Sequence, residues 1–139
     1  MARKRYVPRP THVVFGTAFD SPEEAWLWAA RSMRIAAEGA QLSADRAVVQ
    51  RPCEPRDLVA LASRLRRQKV LDGYEMHALC AFGAMDRPPD PRDSEEAHHE
   101  PFWHSALDKL AGPLIRKGIV LPRHSEMHRE SVSMKKNIT

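Results

Sequence analysis

The clearest alternation of apolar and polar residues lies in residues 54–83. Apolar residues in its first half recur every three or four positions, which is the spacing that lines one side of an α-helix. They are Leu58, Leu61, Ala62 and Leu65. Pro55 suits the first turn of a helix, and the carboxylate of Asp57 complements the positive end of the helix dipole. The pattern predicts a helix that begins at Pro55.

A second short helix is predicted over about residues 73–82. Asp72 can cap it by accepting a hydrogen bond from the backbone N–H of Glu75, whose carboxylate can reach back in a capping box. Gly83 can adopt the left-handed backbone conformation that commonly ends a helix, so the helix is predicted to stop there. The residues expected on its buried side are Met76, Leu79 and Cys80.

A helix before this pair is indicated by Ser21 as a cap, Pro22 in the first turn and Glu24 three residues after the cap. It is predicted to run to about Glu38, just before Gly39. Its expected buried stripe consists of Trp26, Ala29, Ala30, Met33 and Ala37, with Trp28 and Ile35 beside it.

The last helix is predicted to begin after a cap at Ser94 and to end near Gly118, with a kink at Pro113. Its apolar positions in helical register are Trp103, Ala106, Leu107, Leu110 and Leu114. Residues 119–121 look extended, and residues 12–15 form a short run that is either a strand or an extended staple. The patterns together predict an all-α protein, a small bundle of about four helices with at most one minor pair of short strands.

The length of 139 residues predicts one domain. We expect a flexible basic arm at residues 1–11, a single helical domain at residues 12–123 and a disordered tail at residues 124–139. No segment has the roughly 20 apolar residues that a membrane helix needs, and the first residues lack the apolar run of a secretion signal. Two cysteines cannot form a disulfide framework. The expected location is the cytoplasm.

The net charge of +4 is unevenly distributed. Residues 51–72 contain six basic and three acidic side chains, whereas residues 86–100 contain two basic and six acidic ones. Sixteen of the 22 basic residues are arginine, whose planar fork pairs with phosphate or carboxylate, so a polyanionic partner is expected. A GC-rich genome would favour arginine through its codons, and this explanation stays open.

Two short helices joined by a tight turn, followed by a third helix and the sequence from Lys117 to Leu121, resemble a helix-turn-helix domain and the start of its wing. The resemblance covers about residues 54–123. Its connector, residues 69–72, differs from the three-residue, glycine-containing turn of that motif. The resemblance implies DNA binding and a role in transcription regulation, without assigning a recognition helix.

The sequence therefore predicts a non-catalytic protein that binds nucleic acid, with DNA the expected form, through phosphate contacts. The candidate residues are Arg3, Lys4, Arg5, Arg64, Arg67, Lys69, Arg116 and Lys117. The alternative is an adaptor that docks on a larger cytoplasmic assembly through exposed apolar surface or through its own acidic loop, residues 86–100. An acidic protein surface is the other partner expected for the basic residues. A homodimer is compatible with both.

Catalytic and metal-binding motifs are the remaining question. The chain has no phosphate-binding glycine loop and no nucleophile elbow, so we expect neither an enzyme nor a cofactor. His77 and Cys80 are three residues apart and His124 and His128 four, but no complete zinc ligand set follows from these spacings. We therefore expect no metal. A redox or metal sensor that uses Cys53 and Cys80 is the third hypothesis.

Overall fold

The computed structural model of the protein describes residues 16–39 and 50–122. Within them lie five helices, in agreement with the predicted all-α class. Their bounds are Pro22–Ala37 (α1), Pro55–Arg67 (α2), Gly73–Met85 (α3), Ser94–Ala97 (α4) and Glu100–Arg116 (α5). The predicted arm, the run at residues 12–15 and the predicted tail fall outside the described residues, so the domain boundaries stay a prediction.

The predicted starts of α1, α2 and α3 are confirmed. At α1 the hydroxyl of Ser21 accepts a hydrogen bond from the N–H of Glu24, at 3.1 Å. At α3 the carboxylate of Asp72 accepts from the N–H of Glu75, and the N–H of Asp72 donates back to the Glu75 carboxylate, both at 2.8 Å. These bonds satisfy amides that have no partner within the helix, which is why a few local residues fix where a helix begins.

The core lies where α1 packs against α2, α3 and α5, and where α3 packs against α5. Its two largest side chains are tryptophans whose indole N–H groups both have partners. Nε1 of Trp26 donates to the carbonyl of Leu79, and Nε1 of Trp103 donates to Oε1 of Glu23, both at 2.9 Å. Because the polar edge of each ring is satisfied, both indoles can be buried without leaving a polar group unpaired.

The prediction that Gly83 stops its helix is wrong, since α3 continues to Met85. The left-handed residue is Asp86, with φ of 61°, and its carboxylate accepts hydrogen bonds from Nε and Nη2 of Arg31. Gly83 is buried against α1, where an added Cβ would lie 3.1 Å from both Ala30 Cβ and Trp26 Nε1. The glycine is needed because two helices approach closely there.

Three side chains predicted to be buried are exposed: Met33, Ala37 and Cys80. The end of α1 contacts α3 through Arg31 and Arg34, which reach Asp86 and the carbonyl of Ala84, and Met33 and Ala37 lie outside the core. On α3 the buried face includes Glu75 in place of Cys80. The burial of these three side chains therefore depends on the tertiary partners of each helix and not on the local apolar pattern.

The last predicted helix is divided into α4 and α5 by a turn at His98 and His99. The cap of α4 is Asp93, not Ser94, and its carboxylate accepts from the N–H groups of Glu95 and Glu96. The missing N–H of Pro101 suits a new first turn, which explains why α5 begins at Glu100. This helix continues through its internal proline and ends at Arg116.

An extended brace, residues 16–19 and 119–121, connects the start of α1 with the end of α5. The N–H of Phe19 donates to the carbonyl of Ile119 at 2.8 Å, and the N–H of Leu121 donates to the carbonyl of Phe19 at 2.9 Å. This isolated parallel bridge is the β-pairing found in the described part of the chain. The predicted extended conformation of residues 119–121 is thus confirmed.

Candidate nucleic-acid interface

Arg64 and Lys117, two of the predicted phosphate-binding residues, border the same cleft. Arg64 lies in the last turn of α2, and Lys117 caps the end of α5. The cleft has a volume of about 180 Å³. Its remaining lining consists of Asp57, Ala60, Leu61, Leu114 and Ile119. Folding therefore brings together two cations that are 53 positions apart in the chain, above a largely apolar floor.

The other arginines of α2 point in different directions. At about 100° per residue, Arg64 and Arg66 lie on opposite flanks of the buried face, and Arg67 lies opposite that face. All three side chains are exposed. On α5, Arg116 folds back along its own helix, with Nη1 3.3 Å from the position that a Cβ of Gly112 would occupy. The structure thus places the predicted residues that it describes at the ends of α2 and α5, but not all in one cleft. They are Arg64, Arg67, Lys69, Arg116 and Lys117.

The basic side chains of the described residues fall into two groups according to their partners. Most of those outside the two helix ends form ion pairs with carboxylates, and Arg34 donates to the carbonyl of Ala84. The paired residues are Arg31, Arg51, Arg56, Arg87, Arg92 and Lys109. No described carboxylate pairs with the other group, which we call the open cations: Arg64, Arg66, Arg67, Lys69, Arg116 and Lys117. These open cations all belong to the ends of α2 and α5.

Part of this placement stabilises the helices themselves. Arg64, Arg66 and Arg67 lie in the last turn of α2, and Arg116 lies in the last turn of α5. Cations there complement the partial negative charge of the helix end, typically by about 0.3–1 kcal/mol each. Helix stability therefore explains why basic residues occur at these ends. It does not explain the conformation of Lys69.

Lys69 adopts a left-handed backbone conformation, with φ of 66°, just after the end of α2. The N–H of Val70 donates to the carbonyl of Leu65, and the N–H of Lys69 donates to the carbonyl of Arg66, which is a Schellman motif. At the equivalent position α1 has Gly39 and α5 has Gly118. A side chain in this conformation costs about 1 kcal/mol, so α2 keeps a lysine where glycine would be more stable.

Replacing Lys69 by glycine is therefore expected to raise the free energy of unfolding by roughly 0.5–1 kcal/mol, because it removes the left-handed strain. The measurement is urea unfolding followed by circular dichroism. The matched control is Gln68→Gly at the preceding residue, whose φ of −81° favours no glycine. This control should lower stability by a similar amount. A loss of stability in Lys69→Gly would contradict the strain.

Three of the six carboxylates in the acidic loop, residues 86–100, are paired with arginine side chains. Nη1 and Nη2 of Arg87 donate to the two carboxylate oxygens of Glu96, each at 2.8 Å. These bonds, with one from the N–H of Asp90, lower the pKa of Glu96 to about 2. Asp86 is held by Arg31 in the same way. The loop thus presents fewer free carboxylates than its composition indicates, which weakens the case for it as a docking element.

Neither cysteine has the environment of a reactive thiol. Burial raises the pKa of Cys53 to about 11. The side chain of Cys80 is exposed, but desolvation by the surrounding residues still raises its pKa. The ring of His99 lies 4.5 Å from that of His98 and 5.7 Å from that of His77, measured between centroids. Even so, no three His, Cys, Asp or Glu side chains in residues 16–39 and 50–122 are arranged to hold a metal ion. The redox and metal-sensor hypothesis gains no support from this geometry.

The charge of the described part differs from that of the whole chain. Residues 16–39 and 50–122 contain 13 basic and 15 acidic side chains, so the excess of positive charge belongs to the other segments. Three predicted phosphate-binding residues, Arg3, Lys4 and Arg5, lie outside the described residues. Within the described part, the open cations are therefore a local feature and do not reflect a general excess of basic residues.

None of the helices in the described ranges combines the length and the apolar character needed to cross a bilayer. Comparison with known proteins gave no family model that matches the chain, and neither a curated protein nor a solved structure with significant similarity to it.

Proposed function

We propose that the protein binds nucleic acid, with DNA the expected form, as a non-catalytic protein associated with transcription or its regulation. The observation that carries the proposal is the set of open cations at the ends of α2 and α5. Guanidinium and ammonium groups that have no carboxylate partner among the described residues are available for phosphates. Those expected to contact phosphates are Arg64, Arg67, Lys69, Arg116 and Lys117, with Arg3, Lys4 and Arg5 adding affinity independent of sequence.

The composition of α3 argues for contact with the backbone of the nucleic acid. In a helix-turn-helix domain, the second helix reads base edges with side chains such as Arg, Lys, Asn and Gln. Residues 73–85 contain none of these four types. We therefore propose that recognition depends on phosphates and not on base edges read by α3. Binding of this kind is strongly dependent on salt, because neutralised phosphates release their counterions.

Reversing two charges at the cleft tests the proposal. The double variant Arg64→Glu with Lys117→Glu is expected to weaken binding to a 20-base-pair duplex about 20-fold at low salt, because each change removes a phosphate contact and adds repulsion. Electrophoretic mobility shift would measure the affinity. The slope of log affinity against log salt should become shallower by about two.

The matched control is Arg56→Glu with Arg92→Glu, which makes the same change in net charge at two exposed arginines elsewhere. Their side chains are 78% and 90% exposed, and both belong to surface ion pairs that contribute little to stability. This control should weaken binding much less than the cleft variant. Equal loss in the two variants, or no binding by the unmodified protein, would contradict a phosphate site at the cleft.

A further inference from the structure

Tyr74, the second residue of α3, is the most exposed of the large hydrophobic side chains of the described residues, at 71%. Its ring stacks on that of Phe102, with the centroids 5.2 Å apart and the planes inclined by 25°. Phe102 is half-buried and packs against the core. One face of the tyrosine is thus covered by a fixed neighbour, while its high exposure leaves the other face to solvent.

Such a ring is already oriented for a flat ligand. The stacking on Phe102 restricts the rotation of Tyr74, so little side-chain entropy remains to be lost when a second ring stacks on the open face. Aromatic side chains that are rigid and exposed are a common means of binding unpaired bases, since every base has a π-face.

The surroundings of Tyr74 supply positive charge. Nη2 of Arg66 lies 3.7 Å from the position that a Cβ of Gly73 would occupy, beside the tyrosine. Lys69 and Val70, the latter 42% exposed, lie in the same turn between α2 and α3. The carboxylate of Asp72, which accepts the N–H of Glu75 in the helix cap, lies in the same turn, so Arg66 and Lys69 outnumber it by two cations to one anion. A basic and aromatic surface of this kind fits a phosphate backbone with splayed bases.

We infer that the turn between α2 and α3 binds single-stranded DNA, with one unpaired base stacked on the open face of Tyr74 and the adjoining phosphates held by Arg66 and Lys69. This inference rests on the proposed function and specifies the form of its ligand. In an intact duplex both faces of each base are covered by neighbouring bases, so an outward-facing tyrosine has no equivalent partner there.

Fluorescence anisotropy with a labelled 12-nucleotide oligo-dT, a blunt-ended 12-base-pair DNA duplex and a 12-nucleotide oligo-U tests the inference. Tyr74→Leu is expected to weaken oligo-dT binding about tenfold and duplex binding less than twofold, because one stacked base is lost. Tyr74→Phe, which keeps the ring, should remain within about twofold of the unmodified protein. Met85→Ala, a change at the other end of α3 where the side chain is 49% exposed, is the control and should have no effect.

The outcomes separate this inference from the proposed function. If both DNA forms bind but Tyr74→Leu leaves oligo-dT affinity unchanged, or if oligo-U binds tenfold tighter than oligo-dT, the stacking site for single-stranded DNA is wrong and the phosphate site stands. If no oligonucleotide binds, both are wrong. Thermal melting would verify that Tyr74→Leu is folded. If that variant does not fold, Arg66→Gln is used instead, and it is expected to weaken oligo-dT binding about threefold. An unchanged affinity of Arg66→Gln for oligo-dT would then overturn the inference.

Discussion

Substituting leucine for Gly83 is expected to lower the free energy of unfolding by about 3 kcal/mol, because the new side chain would have to separate α1 from α3. An added Cβ alone would lie 3.1 Å from Trp26 Nε1 and from Ala30 Cβ, closer than most contacts that a Cβ makes, so one of these neighbours would have to move. The displacement would also disturb the hydrogen bond from Trp26 to the carbonyl of Leu79. Chemical unfolding with urea would measure the loss.

The control for this substitution is Ala84→Leu, which introduces the same side chain at the next residue of the helix. Ala84 is exposed, so the leucine meets solvent there and stability should change by less than about 0.5 kcal/mol. A comparable loss in the two variants would mean that the helix itself, and not its contact with α1, is sensitive to leucine. Full stability of Gly83→Leu would show that the two helices are not closely packed.

Replacing Lys109 by methionine is expected to lower the free energy of unfolding by about 2 kcal/mol. Nζ of Lys109 lies 2.7 Å from Oε2 of Glu75, whose side chain is only 4% exposed, and it also donates to the carbonyl of Val70. Removing one partner of a buried pair usually costs about 3–5 kcal/mol, and the partial exposure of this lysine reduces the figure. Glu75 would keep its hydrogen bonds from Ser105 and from the N–H of Asp72.

The same pair makes stability depend on pH. Burial alone would raise the pKa of Glu75, but hydrogen bonds from Lys109, Ser105 and Asp72 hold it below its ordinary value of 4.5. Because the folded-state pKa is lowered, the contribution of Glu75 is present above about pH 4.5 and is lost as the pH falls through the folded-state value.

Urea unfolding of the unmodified protein, Lys109→Met, Glu75→Gln and the double variant, each at pH 7 and pH 3.5, would separate these effects. The loss of stability between the two pH values should be smaller in Glu75→Gln than in the unmodified protein. The double variant should be less destabilised than the sum of the single ones, because the two residues interact directly. Additive losses would show that the ion pair does not contribute to the fold.

Where the helices begin was largely predictable from the sequence, because helix starts depend on a few adjacent residues. Ser21 and Asp72 each satisfy amides within three positions, so local sequence determines both caps. The role of Gly83 was not predictable in this way. A glycine near the end of an apolar run fits a left-handed stop and a close helix contact equally well, and only the position of α1 distinguishes them. The buried Glu75 is similar, since its partner Lys109 lies on another helix.

The candidate site was predictable in part. The basic residues at the end of α2 are visible in the sequence as a charge cluster, and their lack of carboxylate partners in the described residues is a tertiary property. The approach of Lys117 to Arg64 depends on how α5 ends beside α2. The left-handed conformation of Lys69 could not be predicted from the sequence, because the usual signal for a Schellman motif is a glycine at that position. Arg66 lies against Gly73, and the ring of Tyr74 stacks on that of Phe102. Neither contact could be predicted from the sequence.

The surplus of acidic over basic side chains in the described part has a consequence for how a polyanion would approach it. Because the open cations lie at the ends of α2 and α5, attraction to a polyanion would be strongest there, and it would orient the molecule before contact. Each bound protein would therefore contact the nucleic acid through a single face and would cover only a short length of it.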